Sequence, residues 1–367
     1  MYLERFIKDW STGKVRVTLM NNNLTVSEFR QQLLKHLQNL DKSLQVTLAN
    51  KCDSVLPKEH HGSGTTPLIQ TCCDGYTDML QWMIHNDVDV NQCKNNGVTG
   101  LYFASQNGHI ETVKLLLERN LNVDLCHNNG CSPLYMASQN GHTEIVKLLL
   151  ERNPGVDICR NDGCSPLLMA SRSGHADIVR LLLERNPNIN LCSKRTGCSP
   201  LYYASHNGHV EIVKLLLERN LNVDLCHNNG CSPLYMASQN GHTEIVKLLL
   251  ERNPNIDLCN NNGYSPLYMA SQNGHTDIVK LLLERNPNVD LCDNEGRSPL
   301  YIASQEGHTN IVKLLLEKNY NVDLCDNKGL NQLYIASREG HTDIVWLLLD
   351  IGRIGIYYVD LSDINGL

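Results

Sequence analysis

The sequence lacks any long uninterrupted apolar run. Its longest late apolar stretch, residues 344–359, is broken by Asp350 and Arg353, whereas a helix that spans a bilayer needs about 20 consecutive, mostly apolar residues. The opening residues, MYLERFIKDW, carry charges where a secretory signal needs an uncharged apolar core. We therefore expect neither membrane insertion nor export, and we expect the protein in the cytoplasm or the nucleus.

Positive charge is also scarce. The chain has 32 Lys and Arg against 39 Asp and Glu, which gives a formal net charge of -7 at pH 7. A net negative protein is poorly suited to general binding of nucleic acid or anionic lipid, because both carry phosphate groups. We therefore expect no nucleic-acid partner.

The usual sequence motifs of catalysis are missing as well. The sequence contains no phosphate-binding glycine loop, no carboxylate pair spaced for acid–base work, and no serine or cysteine nucleophile motif. We predict a protein that is not an enzyme and that binds neither a cofactor nor a metal.

Cysteine, in contrast, is abundant, with 15 residues that largely follow a periodic spacing. A large protein without an export signal is expected to keep its thiols reduced. Four pairs flank predicted turns, so a strained, reversible disulfide is geometrically possible, while zinc needs four ligands and each turn offers two. The pairs are Cys126/Cys131, Cys159/Cys164, Cys192/Cys198 and Cys226/Cys231.

The dominant feature of the sequence is a repeat of 33 residues. Nine glycines mark it, separated by seven steps of 33 residues and one of 34; they lie at positions 64, 97, 130, 163, 197, 230, 263, 296 and 329. A fixed period in this range indicates a stacked repeat array and not one globular core.

The first part of each period predicts a short helix. In the copy that begins at Gly130, Ser132 can cap the helix and Pro133 suits its first position. Leu134 and Ala137 share one face, and Gly141 ends the helix.

A second helix is predicted over residues 143–151, with Ile145, Leu148 and Leu149 on its apolar stripe. Val146 and Leu150 extend the apolar surface, as expected of a helix that packs against its own partner and against neighbouring repeats. Asn153 should end it, because asparagine tolerates the left-handed conformation. The chain then extends through a loop, here called the finger, to Asp162-Gly163, a pair that favours a tight β-hairpin.

These features resemble the ankyrin repeat family, whose signature is Thr-Pro-Leu-His-x-Ala. Here the motif reads Ser-Pro-Leu-Tyr-x-Ala-Ser-x-x-Gly-His over about residues 64–352. The resemblance implies an all-α solenoid with two helices and a β-hairpin finger per repeat. Tyrosine replaces the signature histidine, which leaves open how the hydrogen bonding between repeats is made there; the tyrosines are Tyr135, Tyr202, Tyr235, Tyr268, Tyr301 and Tyr334.

The two ends of the chain depart from the repeat. In residues 1–60, a capping box at Thr25–Glu28 predicts a helix to about Leu40, and a second short helix is expected over Ser43–Asn50. This region is interpreted as a helical N-terminal cap or as the remnant of an upstream domain. Residues 353–367 are interpreted as a partial further repeat or a tail, with no polar closing repeat, so either the product is incomplete or a partner covers that end.

Histidine follows glycine eight times, from His109 to His341. Copies that lie one repeat apart cannot converge on one metal ion, so we predict a structural role for them at the entry of the second helix.

The resemblance implies a non-catalytic scaffold or adaptor whose partner protein lies along the concave side, on the finger tips and the exposed positions of the first helices. An alternative is the sensing or targeting arm of a larger signalling protein. Transferred by alignment, the candidate contact residues are Asn128, Asn129, Gln139, Asn140, Asn161, Asp162, Arg172, Lys194, Arg195, Tyr203, His206, Asn261, Asn262, Tyr264, Asn294, Glu295 and Arg297.

The repeat at residues 163–196 stands out by its charge. It has five basic residues against two acidic ones, and its finger carries the extra residue of the 34-residue step, reading Ser193-Lys194-Arg195-Thr196. We predict that this basic stripe contacts an acidic patch of the partner. The resemblance also implies a third hypothesis, hydroxylation of asparagine, for which Asn91 and Asn190 have the family's preceding Val or Ile.

Overall fold

The computed structural model describes residues 31, 34–35, 37–49, 66–318, 321 and 324–354. Within these residues, nine helix pairs follow a short helix over Lys42–Ala49, and residues 31, 34, 35, 37 and 38, which precede it, are helical as well. The helices are α1 (Lys42–Ala49), α2 (Pro67–Asp74), α3 (Thr77–His85), α4 (Gly100–Asn107), α5 (Ile110–Leu117), α6 (Pro133–Asn140), α7 (Thr143–Leu150), α8 (Pro166–Ser173), α9 (Ala176–Leu183), α10 (Pro200–Asn207), α11 (Val210–Leu217), α12 (Pro233–Gln239), α13 (Thr243–Leu250), α14 (Pro266–Gln272), α15 (Thr276–Leu283), α16 (Pro299–Gln305), α17 (Thr309–Leu316), α18 (Gln332–Arg338) and α19 (Thr342–Ile354).

The first helix of a repeat forms as its sequence predicts. In α6, the Ser132 hydroxyl accepts a hydrogen bond from the backbone N–H of Tyr135 at 3.1 Å, and Pro133 occupies the first turn. Gly141 ends the helix with φ 80°, and its N–H donates to the carbonyl of Ala137. A left-handed residue at this point favours glycine, because other side chains crowd the backbone there.

The second helix buries most of its predicted apolar surface. In α7, Ile145, Val146, Leu149 and Leu150 are buried, whereas Leu148, which the prediction placed on the stripe, is only half-buried. The buried set is wider because the helix packs both on α6 and on the second helices of neighbouring repeats. The predicted helix end is confirmed in backbone geometry, since Asn153 has φ 50°.

The fingers are tight turns and not pairs of strands. The His127 N–H donates to the carbonyl of Cys131 at 3.0 Å, and the Gly130 N–H closes the turn on His127 at 2.7 Å. The next donor, the Asn128 N–H, bonds to the preceding finger, so no two-stranded ladder forms within the finger. In the described part of the chain, the β-bridges are isolated ones at Cys93–Thr99 and Cys325–Asn331.

The chain divides into two compact units, Met1–Arg195 and Thr196–Leu367. In the first unit, α2, α4, α6 and α8 pack side by side, and α3, α5, α7 and α9 form a second row against them. In the second unit, the even-numbered helices α10 to α18 form one row and the odd-numbered helices α11 to α19 form the other. The apolar core of each unit lies between its two rows.

Helix α1 matches the short helix predicted over Ser43–Asn50. Leu37, just before it, is buried, and Lys42 Nζ donates to the His85 carbonyl at 2.8 Å and to Asn86 Oδ1 at 2.9 Å. The predicted capping box at residues 25–28 lies outside the described residues. So does the proposed tail at residues 353–367, apart from residues 353 and 354, which belong to α19. Across the parts of the chain that the structure describes, every helix is too short or too polar to span a bilayer.

Candidate protein-binding face

The finger tips are joined by a ladder of backbone hydrogen bonds. In each unit, the residue two places before the finger glycine, or its equivalent in the longer finger, donates its N–H to a carbonyl in the preceding finger tip at 2.6–3.0 Å. In the first unit these bonds are Asn128 to Asn96, Asn161 to Asn129 and Lys194 to Asp162; in the second they are Asn228 to Thr196, Asn261 to Asn229, Asn294 to Asn262 and Asn327 to Glu295.

Asparagine side chains add a second rung to this ladder. The Nδ2 groups of Asn161, Asn261 and Asn294 donate to the backbone carbonyl of the asparagine one repeat earlier, at 3.0, 3.3 and 3.0 Å. Asn128 makes the same contact at 3.5 Å. These four side chains were predicted to contact a partner, and all four are exposed. Their amide donors nevertheless hold neighbouring fingers together.

The longer finger replaces one of these asparagines with a cation. Lys194 keeps the backbone bond of the ladder, to the Asp162 carbonyl, while its side chain is exposed. Arg195 is the additional residue and is exposed too, and Thr196 takes the next place in the turn. The insertion therefore presents two adjacent positive charges, whereas the other described fingers present at least one amide at this place.

Fewer cations lie on the predicted basic stripe than the composition of the repeat at residues 163–196 suggested. Arg180 forms an ion pair with Asp177 at 2.8 Å on α9, and Arg185 Nη1 donates to Asn153 Oδ1 at 3.4 Å. Both arginines therefore belong to the row of second helices. Arg172, at the end of α8, is exposed and joins Lys194 and Arg195 as the cations of the first helix and finger.

The ends of the first helices are tied to the following repeat. The carbonyl of Gln106, near the end of α4, accepts from Asn140 Nδ2 at 2.8 Å and from His142 Nε2 at 3.0 Å. The same histidine bond recurs at His109, His175, His242, His275, His308 and His341, at 2.8–3.2 Å. The structural role predicted for the histidines is confirmed at these positions, and Asn140 takes part in the same contact.

A further set of predicted residues binds one another. The ring of Tyr264 stacks on that of Tyr268, with centroids 4.8 Å apart, and Arg297 Nη2 donates to the Tyr264 hydroxyl at 3.3 Å. Arg297 also pairs with the buried carboxylate of Asp293 at 2.8 Å and with Glu295 at 3.3 Å. Beside this cluster lies a concavity of about 440 Å³ whose lining mixes both charges, with Arg297, Lys328 and Arg338 opposite Glu295 and Asp326.

Asp162, another predicted contact residue, is half-buried and paired. Arg160 Nη2 donates to its carboxylate, and this hydrogen bond lowers the pKa of Asp162 to about 2. The backbone N–H of Cys164 also donates to Asp162 Oδ1 at 3.2 Å. The carboxylate therefore stabilises the turn of its own finger.

The tyrosines that replace the signature histidine differ in their hydrogen bonding. The Tyr235 hydroxyl accepts from Asn260 Nδ2 at 3.2 Å, and the Tyr301 hydroxyl donates to Asp326 Oδ2 at 3.2 Å. The Tyr135 hydroxyl is fully buried and has no hydrogen-bond partner. Hydrogen bonding from first helix to the following finger is therefore kept in some repeats and lost in others.

Tyr203 and His206 flank a third tyrosine, Tyr202. The Tyr202 ring lies edge-on to Tyr203, with centroids 5.8 Å apart, and stacks with His206 at 6.3 Å and with His227 at 5.8 Å. His227 was not among the predicted contact residues. The sequence signal for it was available, because few fingers carry histidine at that place.

The described cysteines are free thiols. Burial raises the pKa of Cys131 to about 11 and also raises the pKa of its pair mate, Cys126. The Cys126 thiol donates to the Asp124 carbonyl at 3.2 Å. Across the described residues, no three His, Cys, Asp or Glu side chains come together as a metal-binding group.

Comparison with known families identifies the repeat. A family model of ankyrin repeats that spans three copies matches the chain in overlapping windows, at residues 30–125, 68–162, 119–193, 155–225, 201–293 and 285–358. The chain therefore belongs to the ankyrin repeat family, and its fold is an all-α repeat solenoid. The match begins at residue 30, so it includes α1, which precedes α3 by about one repeat length. A comparison with curated protein sequences found no match.

Ankyrin repeats are in general protein–protein interaction modules and are typically non-catalytic. Two groups can be distinguished among the predicted contact residues of this chain. Some are used by neighbouring fingers and helices, as described above for Asn161, Tyr264 and Arg297. Others combine such contacts with an exposed side chain, and we call these, with the adjoining exposed positions of the first helices, the finger face of their unit; they are Asn129, Arg172, Lys194 and Arg195 in the first unit and His206 and Asn262 in the second.

Proposed function

We propose that this protein is a non-catalytic scaffold or adaptor that binds a partner protein at the finger faces of its units, in the cytoplasm or the nucleus. The main support for the proposal is a contrast within each repeat between uniform buried positions and variable exposed ones. The buried positions of the two helices are filled almost identically from repeat to repeat, while the exposed finger tips differ in charge and size. A rigid, uniform frame with variable tips lowers the entropy cost of association and supplies specificity.

The finger that carries Lys194 and Arg195 favours a partner with an acidic surface patch. Lys194 and Arg195 are adjacent, exposed cations in a chain whose formal net charge is -7. Exposed charges of one sign on a binding face mainly accelerate association and select a partner of opposite sign. The side chain of Lys194 has no carboxylate partner among the described residues, so an acidic partner group can pair with it directly.

The test is a double charge reversal, Lys194→Glu with Arg195→Glu. The full chain and this variant are used as baits, and the captured partner is purified and titrated against both at low and high salt. We expect binding at low salt to weaken by about tenfold or more, and its salt dependence to flatten, because opposite charges at the interface have been replaced by like charges.

The matched control reverses two cations on the second helices, Lys247→Glu with Lys280→Glu. Both are exposed and lie beside an acidic residue of the same helix, so the change in net charge is equal while the finger face is untouched. Equal loss of binding in the control and the finger variant would contradict the proposed face. Unchanged affinity and salt dependence in the finger variant would show that the basic stripe takes no part.

A further inference from the structure

Two repeats share an aromatic arrangement that the others lack. In α4 the pair Tyr102-Phe103, and in α10 the pair Tyr202-Tyr203, occupies the third and fourth helical positions. The finger that follows each pair begins with histidine, His127 or His227. In the other first helices from α6 onward, the fourth position holds an aliphatic residue or methionine: Met136, Met169, Met236, Met269, Ile302 and Ile335.

The two arrangements have nearly the same geometry. In site 1, the Tyr102 ring lies edge-on to Phe103 at 5.7 Å and 85°, and tilts toward His127 at 6.1 Å and 30°. In site 2, the Tyr202 ring lies edge-on to Tyr203 at 5.8 Å and 84°, and stacks with His227 at 5.8 Å and 28°. Site 1 belongs wholly to the first unit and site 2 wholly to the second.

Each site exposes aromatic surface. Met136 and Met236, which hold the corresponding position in neighbouring repeats, are buried with 7% of their surface exposed. Phe103 and Tyr203 are half-buried instead. Aromatic rings provide a large apolar contact area with little loss of conformational entropy, and they favour stacked or edge-on contact with another ring or with proline.

The finger histidine adds a hydrogen-bond donor. The backbone N–H of Asn129 donates to His127 Nδ1 at 2.9 Å, and that of Asn229 donates to His227 Nδ1 at 3.0 Å. His227 Nδ1 also lies 2.7 Å from Asn229 Oδ1, an oxygen that can only accept, so this contact favours a proton on Nδ1 in site 2. In site 1 the donor beside His127 Nδ1 is a backbone N–H, so in the neutral His127 ring the proton resides on Nε2. That N–H is suited to a carboxylate or carbonyl oxygen of a ligand.

A cation stands next to site 1. Lys94 Nζ lies 5.0 Å from the centroid of the Phe103 ring, is half-buried, and forms no ion pair with a carboxylate among the residues that the structure describes. Burial lowers the pKa of this ammonium group, which shows that its environment disfavours an uncompensated charge. An anionic group from a ligand would compensate it.

We infer that sites 1 and 2 are related docking sites, each of which takes a short acidic peptide segment in which Asp or Glu adjoins an aromatic residue or proline. In site 1 the carboxylate binds the His127 Nε2–H and Lys94, and the apolar ring packs on Phe103. In site 2 the apolar ring packs on Tyr203, beside His227. One chain therefore binds two copies of the motif. This inference rests on the proposed function and specifies the partner's chemistry, because a partner that carries the motif twice gains from the effective concentration of its second copy.

The test begins with the full chain as the target for a phage-displayed library of random 12-residue peptides. We expect the selected peptides to share an acidic residue beside an aromatic residue or proline. A synthetic copy of the most enriched peptide is then titrated calorimetrically, and we expect two molecules of peptide per chain, with the tighter binding at site 1 because Lys94 adds a cation there.

The site variants are Phe103→Met and Tyr203→Met, each of which installs the residue that neighbouring repeats hold, so that folding is kept. Each should reduce the stoichiometry from two to one by weakening its own site at least tenfold, and the double variant should abolish measurable binding. Lys94→Met should weaken site 1 and reduce its salt dependence, while the control Lys147→Met, on the row of second helices, should change neither. A melting curve for each variant verifies that it is folded.

A stoichiometry of one, selected peptides without an acidic residue, or titrations that the Met variants leave unchanged would overturn the inference. Failure of the library to yield any binder would overturn it too. The proposed function is tested separately, by measuring how the charge reversal at Lys194 and Arg195 changes binding of the intact partner. If that partner still binds with the expected salt dependence while no acidic peptide is selected, the scaffold function stands and the two docking sites do not.

Discussion

His142 Nε2 donates to the carbonyl of Gln106, 3.0 Å away and 36 residues earlier in the chain. The same histidine ring covers Gly108, where an added Cβ would lie 2.7 Å from His142 Cε1. The glycine of one Gly-His pair therefore packs against the histidine of the Gly-His pair in the next repeat. The contact satisfies a helix-terminal carbonyl, which would otherwise lack a partner within its own helix.

His142→Ala should therefore destabilise the array by about 1–3 kcal/mol, because it leaves the Gln106 carbonyl with one donor fewer and removes the ring from its packing site. Urea unfolding followed by circular dichroism measures the change. Gly108→Ala should cost at least as much, since its backbone has φ 80° and the new methyl group meets the ring. The control is Thr143→Ala, next to the histidine, which should have a much smaller effect; an equal effect would contradict the role assigned to the ring.

Alanine substitution should affect the stability of the fold differently at Ser132, the cap of α6, and at Ser138 within α6. Ser132 caps the helix through its bond to the Tyr135 N–H, so Ser132→Ala should lower the free energy of unfolding by about 1 kcal/mol. Ser138 is fully buried and its hydroxyl has no partner, so Ser138→Ala removes an unsatisfied polar group and should leave stability unchanged or raise it. Thermal melts of the two variants provide the comparison, and a loss of stability in Ser138→Ala would show that its hydroxyl is paired in solution.

Asp162 should make stability depend on pH in the acid range. Its folded-state pKa of about 2 is below its ordinary value of 3.8 because of the hydrogen bond from Arg160. A lowered pKa means that the carboxylate stabilises the fold fully above pH about 4, and that this contribution is lost as pH falls through about 2.

Asp162→Asn should therefore be less stable than the native chain at pH 6, and the difference should shrink toward zero near pH 2. The corresponding residue of the preceding finger, Asn129, accepts from the Cys131 N–H at 3.0 Å, as Asp162 does from Cys164, so asparagine keeps the turn and removes only the charge. Urea unfolding at several pH values gives the measurement. A difference that is constant from pH 6 to pH 2 would assign the effect to something other than ionisation.

The repeat architecture could be derived almost completely from the sequence, because glycine, serine-proline and the apolar stripe act locally. Asn153 and Gly141 adopt the left-handed conformations that their positions predicted. Val146 and Leu150 are buried, as expected of a helix that packs against neighbouring repeats, whereas Leu148, which the 3.6-residue period placed on the stripe, is only half-buried. The β-hairpin was also wrong in detail, since the backbone donors of Asn128 and Asn161 bond to the preceding finger, a choice that no single repeat reveals.

The candidate site was less predictable for the same reason. Nothing in the local sequence distinguishes Asn161 and Asn261 from asparagines that only face solvent. Their side chains join neighbouring fingers by donating to a backbone carbonyl 33 residues earlier in the chain. Tyr264 and Arg297, likewise 33 residues apart, meet only when two repeats stack. The extra residue and the positive charges of the longer finger are visible in the local sequence, so Lys194 and Arg195 could be proposed without a structure. Phe103 could have been found as well, by comparing the fourth helical position of every repeat.

The cysteines should react with an alkylating agent according to their burial. The thiolate is the reactive form, and burial raises the pKa of Cys131 to about 11, so very little thiolate exists at pH 7.5. Cys93 and Cys325 are exposed. Brief treatment of the native protein with iodoacetamide, followed by peptide mass spectrometry, should therefore label Cys93 and Cys325 and spare Cys131. Labelling in urea should remove the difference, because unfolding exposes every thiol. Protection of Cys126 and Cys131 together, reversed by a reductant, would instead show that the two form the disulfide that their spacing permits.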